Sequence, residues 1–88
     1  MRYFVAVAEE RNFTRAAERL HIAQPPLPRQ IQQLEGELGV QLFERQTRPL
    51  KLTDTGRFFY THALRVLAQT AELEAMTRRV GQIEAHPP

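Results

Sequence analysis

Residues 13–45 read FTRAAERLHIAQPPLPRQIQQLEGELGVQLFER. Ala16, Ala17 and Leu20 fall at helical spacing and share one face. Thr14 is the expected N-cap of that short helix, Arg15–Leu20. The two alanines leave room for a second helix to approach closely. His21-Ile22-Ala23 follows as a turn, with Ile22 expected to plug the core. His21 reads as a helix-end histidine near the negative end of the dipole. The next helix is expected to begin at Gln24-Pro25-Pro26, because proline is tolerated where the N–H groups have no intrahelical partner. Leu27, Ile31, Leu34 and Leu38 then form a stripe predicted to be buried. At 100° per residue, Pro25, Arg29, Gln32, Gln33 and Gly36 point the other way. Leu38-Gly39 is a stop signal, with Gly39 supplying the left-handed cap. Two short helices around a tight turn, the second with a polar outer face, are the layout of a helix-turn-helix.

Outward from this stretch, Phe4, Val5, Val7 and Ala8 give an apolar face to a first helix over Arg2–Glu10, and Glu10-Arg11-Asn12 breaks the pattern. After Gly39, Leu42–Arg45 and Leu50–Leu52 read as two short strands joined by Gln46, Thr47, Arg48 and Pro49. A β-hairpin in this place is the wing of a winged helix, with Arg48 and Pro49 at its tip. Such a ribbon is marginal alone and must lean on the helices, through Phe43 and Leu52. Thr53 is the expected N-cap of a fourth helix, and Asp54 sets a negative charge in its first turn. That helix runs without a strong breaker to about Ile83, a length of about 45 Å. Phe58, Phe59 and Ala63 are expected on its own core. Two heptad lines run along it: Phe59, Val66, Leu73, Val80 and His62, Gln69, Met76, Ile83. A repeat sustained over three heptads predicts pairing with another helix, although His62 and Gln69 weaken the second line. The fold class is thus mainly α: a winged helix-turn-helix (three helices and a hairpin) over residues 1–52, a long linker and dimerisation helix over 53–84, and a tail over 85–88.

Composition narrows the function. Eighty-eight residues with 42% apolar and 25% charged content fit one small folded domain. There is no Cys, no Ser, one Asp, and three widely spaced His. Nucleophiles, metal-ligand spacings and Gly-rich phosphate loops are wanting, so an enzyme reading has little to stand on and no cofactor or metal is expected. The longest apolar run, Tyr3–Ala8, is far short of a membrane span, and the chain reads as cytoplasmic. The net charge is only +2, but Arg45, Arg48, Lys51 and Arg57 face the single acid Asp54 within residues 45–57. A local basic cluster on a near-neutral chain points to one face for a polyanion.

The groove-facing candidates follow from hydrogen-bond chemistry. Gln24 carries an amide able to pair with adenine N6 and N7, and Arg29 can take guanine O6 and N7 or a phosphate. Pro25 and Pro26 are compact and suit a thymine methyl or a sugar. Gln32 and Gln33 lie further along the helix. The Thr14 hydroxyl and the free N–H groups behind it can hold a phosphate. Arg48 can enter the adjacent minor groove, where the potential is most negative. Each of these residues taken singly is as well explained by a solvated surface; their joint order is more specific than any one. The competing reading is a winged-helix module for protein–protein contact, docking through the fourth helix.

Taken together, Tyr3-Phe4-Val5-Ala6-Val7, Phe13-Thr14-Arg15-Ala16-Ala17, Leu20 to Leu27, Arg29-Gln30-Ile31, Leu34-Glu35, Leu38-Gly39, Leu42-Phe43-Glu44-Arg45 and Leu52-Thr53-Asp54-Thr55-Gly56 resemble the N-terminal DNA-binding domain of LysR-type transcriptional regulators. Within that family, Ala23 to Leu27, Arg48-Pro49 and Phe58-Phe59-Tyr60 look most like the muconate-responsive regulators of benzoate and catechol degradation. The resemblance implies a homodimer on an inverted-repeat site in double-stranded DNA. It places Gln24, Pro25, Pro26, Pro28 and Arg29 on the groove-facing element. Arg48 and Pro49 fall in the wing, and Thr53 near the backbone. It implies that a small-molecule inducer acts only through a C-terminal domain that has no counterpart in this sequence, and that tetramers belong to the full-length protein. Two departures stand out. The family ordinarily has several residues ahead of Arg2, so the first helix is expected to be short, with one fewer hold on a phosphate. Pro28 stands where Ser or Thr is common, which removes a hydroxyl and an N–H and predicts a slightly distorted helix entry.

Overall fold

The computed structural model describes residues 1–22 and 27–85. Gln24, Pro25 and Pro26, the expected start of the third helix, lie outside the described residues, as do His86, Pro87 and Pro88. Four helices follow in order: α1 (Arg2–Glu10), α2 (Phe13–Arg19), α3 (Leu27–Leu38) and α4 (Asp54–Ala85). The molecule measures 60 × 28 × 20 Å, its long dimension reflecting a 32-residue α4.

α1 presents Phe4, Val5, Ala6 and Val7 to the interior. It ends at Arg11, whose N–H donates to the Val7 carbonyl at 2.9 Å and whose left-handed backbone (φ 57°) then turns the chain out of the helix. α2 is capped by Asn12 rather than Thr14. The Asn12 backbone is extended, as an N-cap requires, and its Oδ1 accepts the Arg15 N–H at 2.9 Å. Thr14 therefore sits inside the first turn. Ala16 and Ala17 are buried against α1 and α3. Ile22 is half-buried on the core edge, and His21 takes a left-handed turn conformation just past the helix end.

In α3 the stripe is buried at Leu27 and Ile31, half-buried at Leu34, and exposed at Leu38 (44%). Gly39, at φ 70°, turns the chain away directly after Leu38, which leaves that last position only partly covered. α3 is unbroken from Leu27 to Leu38 with Pro28 as its second residue. Glu35 lies one helical turn past Ile31, and its Oε2 accepts the N–H groups of Leu42 (2.7 Å) and Phe43 (3.2 Å). That carboxylate docks the returning chain onto α3.

The expected hairpin is reduced to a single antiparallel bridge, Phe43 with Leu52, and no strand extends from it among the described residues. One further bond, Glu44 N–H to Lys51 O at 2.8 Å, stands above the bridge. Gln46 has a left-handed backbone, and Thr47 takes its hydroxyl to Glu44 O (3.3 Å) while accepting from Lys51 N–H (3.2 Å). The loop thus closes through a side chain where a longer ladder would otherwise form.

Thr53 caps α4 as expected: its hydroxyl accepts the Gly56 N–H at 2.9 Å and donates to Gln41 O at 2.7 Å. Gly56 and Ala63 are buried on the core side of α4. Phe59 stands edge-on to Phe4 at 4.9 Å, so it belongs to the intrachain core rather than to a free pairing face. Phe58, expected in the core, is instead 67% exposed, with its ring 4.4 Å from His62. The helix runs on through Ala85, one residue into the expected tail.

Polar contacts join α1, α2 and α4 at one point. Glu9 receives the Tyr60 hydroxyl on Oε2 (2.5 Å) and the Arg19 guanidinium on Oε1 (2.7 Å), and Arg19 also reaches Glu10 (3.3 Å). The Tyr60 hydrogen bond, and then Arg19, hold the Glu9 carboxyl below its ordinary value. The same bond raises the Tyr60 phenol above its own.

Candidate nucleic-acid interface

The outer face of α3 carries Pro28, Arg29, Gln32 and Gln33, all exposed, because Leu27 and Ile31 commit the opposite face to the core. Pro28 and Gln32 line a cleft of about 360 Å³ together with Arg45. Arg45 is oriented by Gln41. In the amide orientation that satisfies both donors, the Gln41 side-chain oxygen accepts from Arg45 Nε (2.8 Å) and Nη2 (3.0 Å).

A second, larger cleft of about 670 Å³ opens between the start of α2 and the wing. Thr14, Arg15, Arg48 and Pro49 line it, with Arg11 and Glu10 at its edge. Phe13 and Gln46 border both clefts, so the surface from Gln32 and Arg45 to Thr14 and Arg48 is continuous. The α3 cleft carries Arg45 with Glu35 and Glu44, and the charge becomes predominantly positive in the wing cleft. Arg11, Arg15 and Arg48 face one acid, Glu10, which is already engaged by Arg19. Among the described residues, none of Arg15, Arg29, Arg45 and Arg48 is in an ion pair. Unpaired guanidinium groups beside a polar helix face and a protruding loop suit a polyanion of fixed geometry.

The structure therefore brings together Thr14, Pro28, Gln32, Arg45, Arg48 and Pro49, with Arg29 exposed on the same helix as Pro28 and Gln32. Thr53 stands apart from them in role: both hydrogen-bonding functions of its hydroxyl serve the start of α4. Arg15 joins the site, and Arg11 borders it with its Nε bonded to Leu50 O, although composition and helical phase single out neither. They come to the wing only once the loop folds back, and the available signal is modest: two arginines flanking the helix boundary at Asn12.

The expected pairing residues lie elsewhere, along α4 from His62 onward. Val66 (45%), Leu73 (61%), Met76 (43%), Val80 (55%) and Ile83 (72%) are exposed, and His62 is exposed with them. Gln69 is exposed on the same helix. Among the described residues there is no cluster of His, Cys, Asp or Glu able to hold a metal, and no helix long and apolar enough to cross a membrane.

Residues 1–57 match the family model described as "Bacterial regulatory helix-turn-helix protein, lysR family". The chain belongs to that family. It is 62% identical over 80 residues to the probable cat1 operon transcriptional activator of Acinetobacter lwoffii, a match that covers 91% of this chain and 26% of that protein. It is 55% identical over 84 residues to the transcriptional regulator BenM of Acinetobacter baylyi, covering 96% of this chain and 28% of BenM. The solved complex of the BenM DNA-binding domain with benA site 1 DNA superposes with a TM-score of 0.85 at 56% identity, over 91% of this chain and 90% of that one. The fold is accordingly the winged helix-turn-helix of LysR-type regulators. The chain spans about a quarter of the length of these curated relatives.

Proposed function

We propose that this chain is the DNA-binding portion of a LysR-type transcriptional regulator of aromatic-compound catabolism genes, reading double-stranded DNA as a homodimer in the cytoplasm. The carrying observation is the continuous surface from α3 to the wing, lined by Arg11, Arg15, Arg45 and Arg48, where Glu10 is engaged by Arg19 and Glu35 by the Leu42 and Phe43 N–H groups, leaving Glu44 as the remaining lining acid. The solved DNA complex of a relative with this fold supports the same reading. Residues 1–52 form the reading head and residues 53–84 the pairing helix. Arg29, Gln32 and Pro28 meet base edges or sugar in the major groove, joined by Gln24, Pro25 and Pro26 of the preceding segment. Thr14 and Arg45 hold phosphates, and Arg48 and Pro49 approach the minor groove. Thr53 acts by fixing the start of α4 beside the backbone. Two heads related by a two-fold axis require an inverted-repeat site. Higher assembly and inducer response belong to regions of the full-length protein beyond this chain.

The test is selection from a random-site duplex library, followed by titration of the recovered site. An inverted repeat should emerge. Arg29→Ala should lower affinity for it by about 1–3 kcal/mol and relax base preference. Recovery of no preferred sequence by the wild-type chain would overturn the reading.

A further inference from the structure

We propose that Arg11 is a positioning residue for DNA reading: it holds Leu50 from two directions and so sets where Arg48 and Pro49 stand relative to Thr14 and Arg15. The proposal rests on the reading above that the wing touches DNA.

The hydrogen bonds between these residues are reciprocal. The Leu50 N–H donates to Arg11 O (3.2 Å), and Arg11 Nε donates to Leu50 O (3.0 Å). One residue thus satisfies both backbone polar groups of another that lies 39 positions away. The left-handed Arg11 backbone makes this possible. The Arg11 N–H closes the last turn of α1 on Val7 O, and the left-handed backbone then turns the Arg11 carbonyl out of the helix toward the wing.

The wing needs such a support. Its base is held by the Phe43–Leu52 bridge and the Glu44–Lys51 bond, which join its two arms to each other. Neither bond ties the ribbon to α2. The Arg11–Leu50 pair anchors it to the turn that leads into α2, and Leu50 directly follows Pro49. Arg11, Thr14, Arg15 and Arg48 all line the same cleft. A shift of Leu50 therefore changes the separation of the wing arginine from the start of α2, while phosphates and groove edges on a duplex keep fixed spacings.

The test is a double-mutant cycle on the full chain, read by fluorescence anisotropy on the selected duplex over a range of salt. Arg48→Ala is expected to weaken binding about tenfold and to reduce the salt slope by about one. Arg11→Ala is expected to match it on both counts, and the double variant to be no weaker than either single one. Arg11→Gln separates positioning from charge. Its Nε2 sits the same number of bonds from the backbone as Arg11 Nε, so it keeps the donor to Leu50 O and removes the cation. Binding by Arg11→Gln within about twofold of wild type is expected, and a loss equal to that of Arg11→Ala overturns the proposal. Additive losses in the double variant also overturn it, since they assign Arg11 a phosphate of its own. Wild-type binding by Arg11→Ala alongside weakened Arg48→Ala overturns the positioning role and leaves the wing reading intact. Wild-type binding by Arg48→Ala overturns both.

Discussion

α4 is one continuous helix in two different environments. Up to Leu67 one side of it packs on the chain's own core, where Gly56 and Ala63 are buried, Phe59 meets Phe4 and Leu67 packs at the edge, while Phe58, Leu64 and Val66 stay exposed on its other sides. Beyond that point the same seven-residue spacing continues, but Leu73, Val80 and Ile83 are each more than half exposed. Fully burying such a side chain is worth about 1.5–3 kcal/mol, so the far half carries unspent stabilisation that the near half has already used. Periodicity shows that a face wants cover; only packing shows which surface supplies it. Substitutions in the near half should therefore unfold the head, and those in the far half should dissociate a dimer.

The largest effect is expected at Gly56. A Cβ there would run into the backbone of Leu42, with the carbonyl carbon only 2.9 Å away. Backbone cannot swing aside as a side-chain tip can. Gly56→Ala should cost more than about 3 kcal/mol, read as lost cooperative unfolding or a large fall in denaturation midpoint. A midpoint within a degree or two of wild type would show that α4 and the head can part without penalty at this point.

In the far half, Leu73→Glu combined with Val80→Glu should leave the head folded and its thermal transition nearly unchanged. Sedimentation should give a monomer, and affinity for an inverted repeat should fall by about a hundredfold or more as the second head is no longer tethered. A dimer that survives both charges would mean that the exposed seam serves another partner.

The same contrast explains what is legible in the sequence. α1, the buried side of α3 and the cap at Thr53 are local patterns, and local pattern suffices. The groove-facing side of α3 follows from helical phase once Leu27 and Ile31 are assigned inward. The misses are places where a distant residue decides. Thr14 reads as a cap, but the chain's entry into α2 depends on Arg11 taking a left-handed turn, which leaves Asn12 as the extended residue. Leu38 continues the stripe in sequence but is only partly covered once Gly39 turns the chain. The wing reads as a two-stranded ladder. It is held instead by Glu35, Thr47 and Arg11, side chains from α3, the loop itself and the end of α1. Arg15 as a site residue and Arg11 as a support of the wing escape notice for the same reason. Nothing within a few positions of them announces the wing.

A smaller effect should come from the polar junction that ties the near half of α4 to α1 and α2. The Glu9 carboxyl is held below its ordinary value by Tyr60 first and Arg19 second. A group whose folded pKa is depressed contributes stability above its unfolded value and loses it as pH falls through the folded one. Stability should therefore decline from about pH 4.5 downward, and Tyr60→Phe should flatten that decline while costing about 1 kcal/mol or less at neutral pH. Tyr60, raised by the same bond, adds a loss of opposite sign in alkali, as pH rises through the folded phenol value. Urea titrations of both chains across pH test it, and an unaltered acid limb in Tyr60→Phe would assign the decline to other carboxylates.

The smallest effect, and the one that most sharpens the contrast with Gly56, is at Gly81. A Cβ at Gly81 meets nothing within 4 Å. At 100° per residue Gly81 lies off the line of Leu73, Met76, Val80 and Ile83, on the flank of the far half. Gly81→Ala should therefore raise stability by about 0.5–1 kcal/mol through helix propensity alone, visible as higher helicity by circular dichroism. The dimer should be unaffected. If Gly81→Ala gains helicity but dissociates the dimer, a partner helix approaches this flank closely enough to need a bare backbone. The covered face would then be broader than the heptad lines imply, and the far half would be closed as tightly around Gly81 as the near half is around Gly56.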